Sequence, residues 1–137
     1  MKVTPDTNVL VRILVEDDAH QSAAAKSALA KAELVALTLP ALCELVWVLS
    51  RGYWHPAADI AAALRVLLAG ANVAVNRPAA DAGLAMLDSG GDFADGVIAF
   101  EGERLGAEMF LSFDKKAVKR LAAVGEPARL LGQAISF

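Results

Sequence analysis

The chain has 137 residues, 56% of them hydrophobic, with a net charge of −3 and a pI near 5.3. That length and apolar content exclude a disordered chain and suit a single domain over residues 1–137, while the acidic balance excludes nucleic-acid binding through the overall field, so any polyanion must be held locally. Mean hydropathy is +0.46, yet charged residues interrupt every apolar stretch short of the roughly 18–20 residues that span a bilayer, Asp6 and Arg12 come too early for a signal peptide, and Cys43 is alone; a cytoplasmic chain with no membrane role is expected.

Short β-like runs alternate with longer helical patterns, the order of parallel βαβ units. Residues 2–5 read as the first strand. A short helix over 7–15 and an alanine-rich one over 18–32, opened by Asp18, fill the first crossover. After a strand at 34–37, Pro40 suits the first turn of a helix running to Arg51, and Pro56 starts another that ends near Gly70. Gly52 and His55-Pro56 mark the break between them. A third strand at 73–75 precedes a helix from Pro78 to Leu87 and another from Asp92 to Leu105-Gly106. A strand at 108–111, a helix from Asp114 to Ala123 and a weak strand at 129–131 complete the chain. The expected fold is α/β, a three-layer α/β/α sandwich with a short, mainly parallel central sheet.

Ligands of open parallel sheets collect at the C-terminal ends of the strands, where loops and helix N-termini converge. Asp6 and Asp114 fall at such ends. A helix N-cap explains either one alone, but two on one rim invite a second explanation. Glu44 is sharper, because it stands inside Leu42-Cys43-Glu44-Leu45-Val46-Trp47-Val48-Leu49, where helical geometry is expected to bury much of the surface. Arg51 is two turns away and no i+4 partner. Asp92 and Asp95, three apart, share a helix face or form a cap with its N3 partner. Capping suits Asp92, whereas the small and apolar residues after Asp95 suggest a closely packed helix that turns this carboxylate to the rim. Thr7 or Asn8 would orient Asp6 from behind. Carboxylates gathered this way repel one another and call for a cation.

Four blocks together resemble the PIN domain, specifically the VapC-type toxin ribonucleases: Asp6-Thr7-Asn8-Val9-Leu10-Val11-Arg12, Glu44-Leu45-Val46-Trp47-Val48-Leu49, Asp92-Phe93-Ala94-Asp95-Gly96-Val97-Ile98-Ala99 and Ser112-Phe113-Asp114-Lys115-Lys116. The resemblance spans nearly the whole chain in the family's order. It assigns a catalytic, metal-binding quartet to Asp6, Glu44, Asp95 and Asp114, with Asp92 accessory and Asn8 and Ser112 as supporting residues. Pro5 at the end of the first strand and Ser112 in place of the commoner threonine depart from the pattern. The implied activity is endoribonuclease, with Mg²⁺ or Mn²⁺ held by hard oxygen ligands. A homodimer and a cognate VapB-type antitoxin are implied as well.

Arg12, Lys115, Lys116, Lys119 and Arg120 are candidates to hold an RNA backbone, although the last four equally describe a solvated helix face. Trp47 and Trp54 are candidates to stack bases, Trp47 being expected in the core or an interface. His20 and His55 lack ligand partners at useful spacing. Two other functions stay open: a PIN scaffold without catalysis that binds RNA or a partner, and a receiver-like phospho-acceptor. The receiver would need an acidic pair after the first strand and an acceptor aspartate after the third, where Asn76-Arg77-Pro78 stands.

Overall fold

A proline lacks the N–H that a β-ladder needs, and Pro5 accordingly stands outside the first strand, β1 (Lys2–Val3), which stops two residues short of the expected 2–5. The computed structural model, which describes residues 1–132, pairs β1 in parallel with β2 (Leu34–Leu37) and β2 in parallel with β3 (Val73–Val75). Thr4 Oγ1 donates to the Ala36 carbonyl at 2.9 Å and carries the β1–β2 seam past the end of the ladder. These strands belong to one of two compact units, Met1–Asn76; the second begins at Arg77.

In the first unit, α1 (Thr7–Leu14) and α2 (Ala19–Lys31) fill the β1–β2 crossover, each opened by an aspartate N-cap, Asp6 and Asp18. The C-terminal carbonyls of α2 need partners outside the helix. Asn72 Nδ2 supplies them, donating to Leu29 O and Ala32 O at 3.0 Å. Thr38 caps α3 (Leu39–Trp47), and Pro40 sits in its first turn. The helix expected to reach Arg51 instead widens at Val48–Gly52 into a π-helical turn, with Tyr53 N–H reaching Val48 O at 3.2 Å. Buried Leu10, Leu42, Leu45, Ile60 and Leu64 line the core of this unit with α4 (Ala57–Leu68), each such side chain contributing about 1.5–3 kcal/mol. Between the π turn and α4, Trp54 holds φ at 59°, a left-handed conformation that costs a bulky residue about 1–3 kcal/mol.

The second unit opens with a helical hairpin, α5 (Arg77–Asp88) and α6 (Phe93–Arg104). Two glycines set its closeness. A Cβ on Gly83 would stand 2.6 Å from the Phe93 ring, and one on Gly96 would stand 2.5 Å from the Ala82 carbonyl oxygen. β4 (Phe110–Ser112) pairs in parallel with β5 (Ala128–Leu130) through α7 (Lys115–Ala123). The β4 ladder starts later than the expected 108–111 because Pro127 offers only its carbonyl, which accepts from Phe110 N–H at 3.0 Å. Buried Met86, Ala99 and Leu121 join α5, α6 and α7 over Phe110 and Ala128. All strand pairs among the described residues are parallel, with helices between successive strands, as an α/β fold requires. No helix among the described residues is long and apolar enough to cross a membrane.

Candidate functional site

Three of the five predicted carboxylates are also helix N-caps, and in each the cap uses one oxygen. Asp6 Oδ1 accepts Val9 N–H at 3.1 Å, Asp92 Oδ1 accepts Ala94 N–H at 2.9 Å, and Asp114 Oδ1 accepts Lys116 N–H at 2.9 Å and Ala117 N–H at 3.3 Å. Oδ2 lies outside the cap in every case. Capping therefore fixes each side chain's direction without consuming its second oxygen, so the structural and the functional reading do not compete.

In the first unit Asp6 and Thr7 open α1, and Thr7 Oγ1 donates to Glu44 Oε2 at 3.3 Å, a long bond for a hydroxyl donor. The expected burial of Glu44 is corrected. Ala41, Leu42, Leu45 and Val46 take the buried face of α3, leaving Glu44 and Trp47 exposed on the opposite one. The apolar residues beside Glu44 misled because they continue around the helix: Trp47, expected in the core or an interface, is 61% exposed. Asn8 is exposed in the first turn of α1.

In the second unit Asp95 sits half-buried in the first turn of α6, where the Gly96–Ala82 approach sets its position. Burial raises its carboxyl pKa above the ordinary value, and the charges of Asp92 and Asp114 raise it further. Both neighbouring charges that act on Asp95 are negative and oppose its ionisation. Ser112 Oγ accepts Asp114 N–H at 3.0 Å, so the serine that replaces threonine still supports the loop carrying this acid. Among the described residues, no three or more His, Cys, Asp or Glu side chains gather into a group able to hold a metal ion. The donors present are carboxylates and hydroxyls, hard oxygen ligands that fit Mg²⁺ or Mn²⁺ and not a soft metal.

The basic residues separate. Arg12 is held by Asp17 at 2.5 Å and by Gln21 at 2.7 Å, and the Asp17 bond raises its pKa. Arg120 Nη1 donates to Ser89 O at 2.8 Å and ties α7 to the α5–α6 turn. Lys115, Lys116 and Lys119 are exposed on α7. Sequence reasoning missed that Asp17, Gln21 and Tyr53 would gather around Arg12, with Tyr53 Oη donating to Asp17 Oδ2 at 3.1 Å. No spacing rule joins residues 36 apart in sequence.

Compared with protein-family models, the chain matches the one described as PIN domain over residues 3–124, a span that runs through both units and includes all five acids. That match agrees with the α/β/α sandwich class and its short parallel sheet. No curated protein gives a significant match.

Proposed function

This chain belongs to the PIN domain family, a nuclease-type fold whose members commonly depend on divalent metal ions, and on that premise we propose that it is a metal-dependent endoribonuclease, the toxin of a VapBC-type pair. The observation that carries the reading is Asp95, half-buried, its pKa raised by burial and by the charges of Asp92 and Asp114. We assign metal binding to Asp6, Glu44, Asp95 and Asp114, with Asp92 accessory. The ion, Mg²⁺ or Mn²⁺, would offset their repulsion, activate a water and neutralise charge on the phosphodiester.

The chain's own residues supply the rest. The backbone caps hold the Oδ1 atoms of Asp6, Asp92 and Asp114, so each carboxylate meets a ligand with its rotamer already chosen. Thr7 restrains Glu44, and Ser112 restrains the backbone of Asp114. Such preorganisation lowers the ordering cost of binding. Exposed Lys115, Lys116 and Lys119 supply positive charge for an RNA backbone in a chain whose net charge repels one. A homodimer, a VapB-type antitoxin partner and a cytoplasmic site of action belong to the same proposal.

The test is cleavage of an end-labelled structured RNA by the purified chain, freed of antitoxin. Mg²⁺ or Mn²⁺ supports cutting, EDTA stops it, and Asp6→Asn and Asp95→Asn lose more than the roughly 10–100-fold that a merely supporting residue costs. Undiminished cleavage by either variant overturns the site. Induced expression arrests growth for the wild type and not for Asp95→Asn; continued arrest with Asp95→Asn overturns the toxin reading.

A further inference from the structure

The most exposed aromatic side chain of the first unit sits on its most constrained backbone. Trp54 is 80% exposed and holds φ at 59°, in the left-handed region that favours glycine. Burial gives nothing back for that strain. The loop around it is nevertheless built firmly: Tyr53 N–H reaches Val48 O at 3.2 Å, His55 N–H reaches Leu49 O at 3.0 Å, and Tyr53 Oη reaches Asp17. The Tyr53 and His55 rings stack at 6.2 Å, flanking the indole in sequence on both sides.

Charge decides what this display suits. Residues 45–58 contain no aspartate or glutamate, whereas Arg51 and His55 flank the indole and are exposed. Asp17, the carboxylate bonded to Tyr53, is already paired with Arg12. An acidic chain thus places exposed aromatic surface beside one arginine in a stretch free of carboxylates, the combination that binds single-stranded nucleic acid by stacking and phosphate contact. Position agrees. Thr7, at the start of α1, touches Glu44, and Arg12, further along the same helix, pairs with the Asp17 that Tyr53 meets; the rise from Thr7 to Arg12 is about 8 Å, within the span of a few nucleotides.

We propose that residues 51–55 form a substrate-positioning loop, with the Trp54 indole stacking on an unpaired RNA base and Arg51 meeting a backbone phosphate. The proposal deepens the ribonuclease reading above and rests on RNA being the substrate, and its test runs without catalysis. The full chain is titrated in EDTA with a fluorescein-labelled 12-nucleotide oligouridine. The chain has two tryptophans, so in Trp47→Phe the remaining emission is that of Trp54, and RNA quenches it. Trp54→Ala weakens binding at least about fivefold and Trp54→Phe restores most of it. Arg51→Ala lowers the salt dependence by about one phosphate contact. Trp54→Gly raises the melting temperature by removing the strain while losing RNA affinity, a combination that a purely structural tryptophan does not give.

Unquenched Trp54 together with unchanged affinity in Trp54→Ala overturns the loop. So does a Trp54→Ala variant that turns a dimer into a monomer with RNA affinity per chain unchanged, since Trp54 is then a contact with a second copy. A parallel Mn²⁺ cleavage assay separates the two ideas. Cutting without Trp54 involvement sinks the loop alone, and Trp54-dependent binding without cutting sinks the nuclease reading alone.

Discussion

The two units present their acids differently. In Met1–Asn76, Asp6 and Glu44 are exposed, one engaged by a backbone cap and the other by a threonine hydroxyl. In the unit from Arg77 onward, Asp95 is half-buried and faces two like charges. The first arrangement costs the free protein little, because water screens exposed carboxylates. The second opposes ionisation of Asp95, through burial first and the two like charges next. On the proposed metal-binding role, Asp95 is therefore expected to matter more to metal affinity than Glu44.

The largest expected effect follows from that asymmetry. In the wild type, saturating Mn²⁺ raises the melting temperature, since a ligand at about a hundred times its Kd adds about 2.7 kcal/mol. Asp95→Asn abolishes that rise, whereas Glu44→Gln only shifts it to higher Mn²⁺. Calorimetry across a Mn²⁺ series checks both, and equal losses from the two variants would break the comparison. Asp95→Asn is also expected to melt no lower than the wild type when both are in EDTA, because it removes a charge that burial and two neighbours oppose.

A smaller effect concerns what positions Asp95. Gly96→Ala places a methyl against the Ala82 carbonyl and forces α6 off α5, at about 1–3 kcal/mol. Urea denaturation measures the loss, and cleavage at saturating Mn²⁺ falls with it even below the melting temperature. Full activity in a destabilised Gly96→Ala would show that the α5–α6 approach supports the fold and not the acid.

The smallest effect comes from an acid pair of the second unit outside the predicted site. Burial raises the pKa of Glu126, and its neighbour Glu103 raises it further. A carboxyl whose folded pKa exceeds its unfolded one binds its proton more tightly in the native state, so stability falls as pH rises between the two values and the deficit is complete above the folded one. Glu126→Gln is thus slightly stabilising at neutral pH, with the gain vanishing as pH drops below the ordinary carboxylate range. Thermal melts across pH read this directly. Mn²⁺ leaves that gain unchanged, in contrast to Asp95, and a metal-dependent gain would place Glu126 in the site.

Much of the architecture was legible in the chain because local rules govern it. Pro40 and Pro56 opened helices where a missing N–H is harmless, Asp18, Asp92 and Asp114 capped three others, and Val73-Ala74-Val75 formed a strand. The boundaries moved where a backbone partner decided them: Pro5 shortened β1, Pro127 delayed β4, and the π turn ended α3 at Trp47. Glu44 was misread as buried since hydrophobic neighbours say how apolar a helix is without saying how much of its circumference the core covers. The basic residues were the least legible. A guanidinium looks alike in sequence whether it is held by Asp17, as Arg12 is, or bonded to a carbonyl, as Arg120 is.

By itself the sequence determined the element order, the parallel α/β class and the identity of the acids, because hydrophobic period, proline, glycine and capping chemistry act over a few residues. Tertiary structure decided what those acids experience. That Asp95 lies half-buried under the influence of like charges, that Glu44 is exposed, and that Trp54 is held out on a strained backbone depend on how elements pack, since burial and electrostatic coupling are set by distance in space.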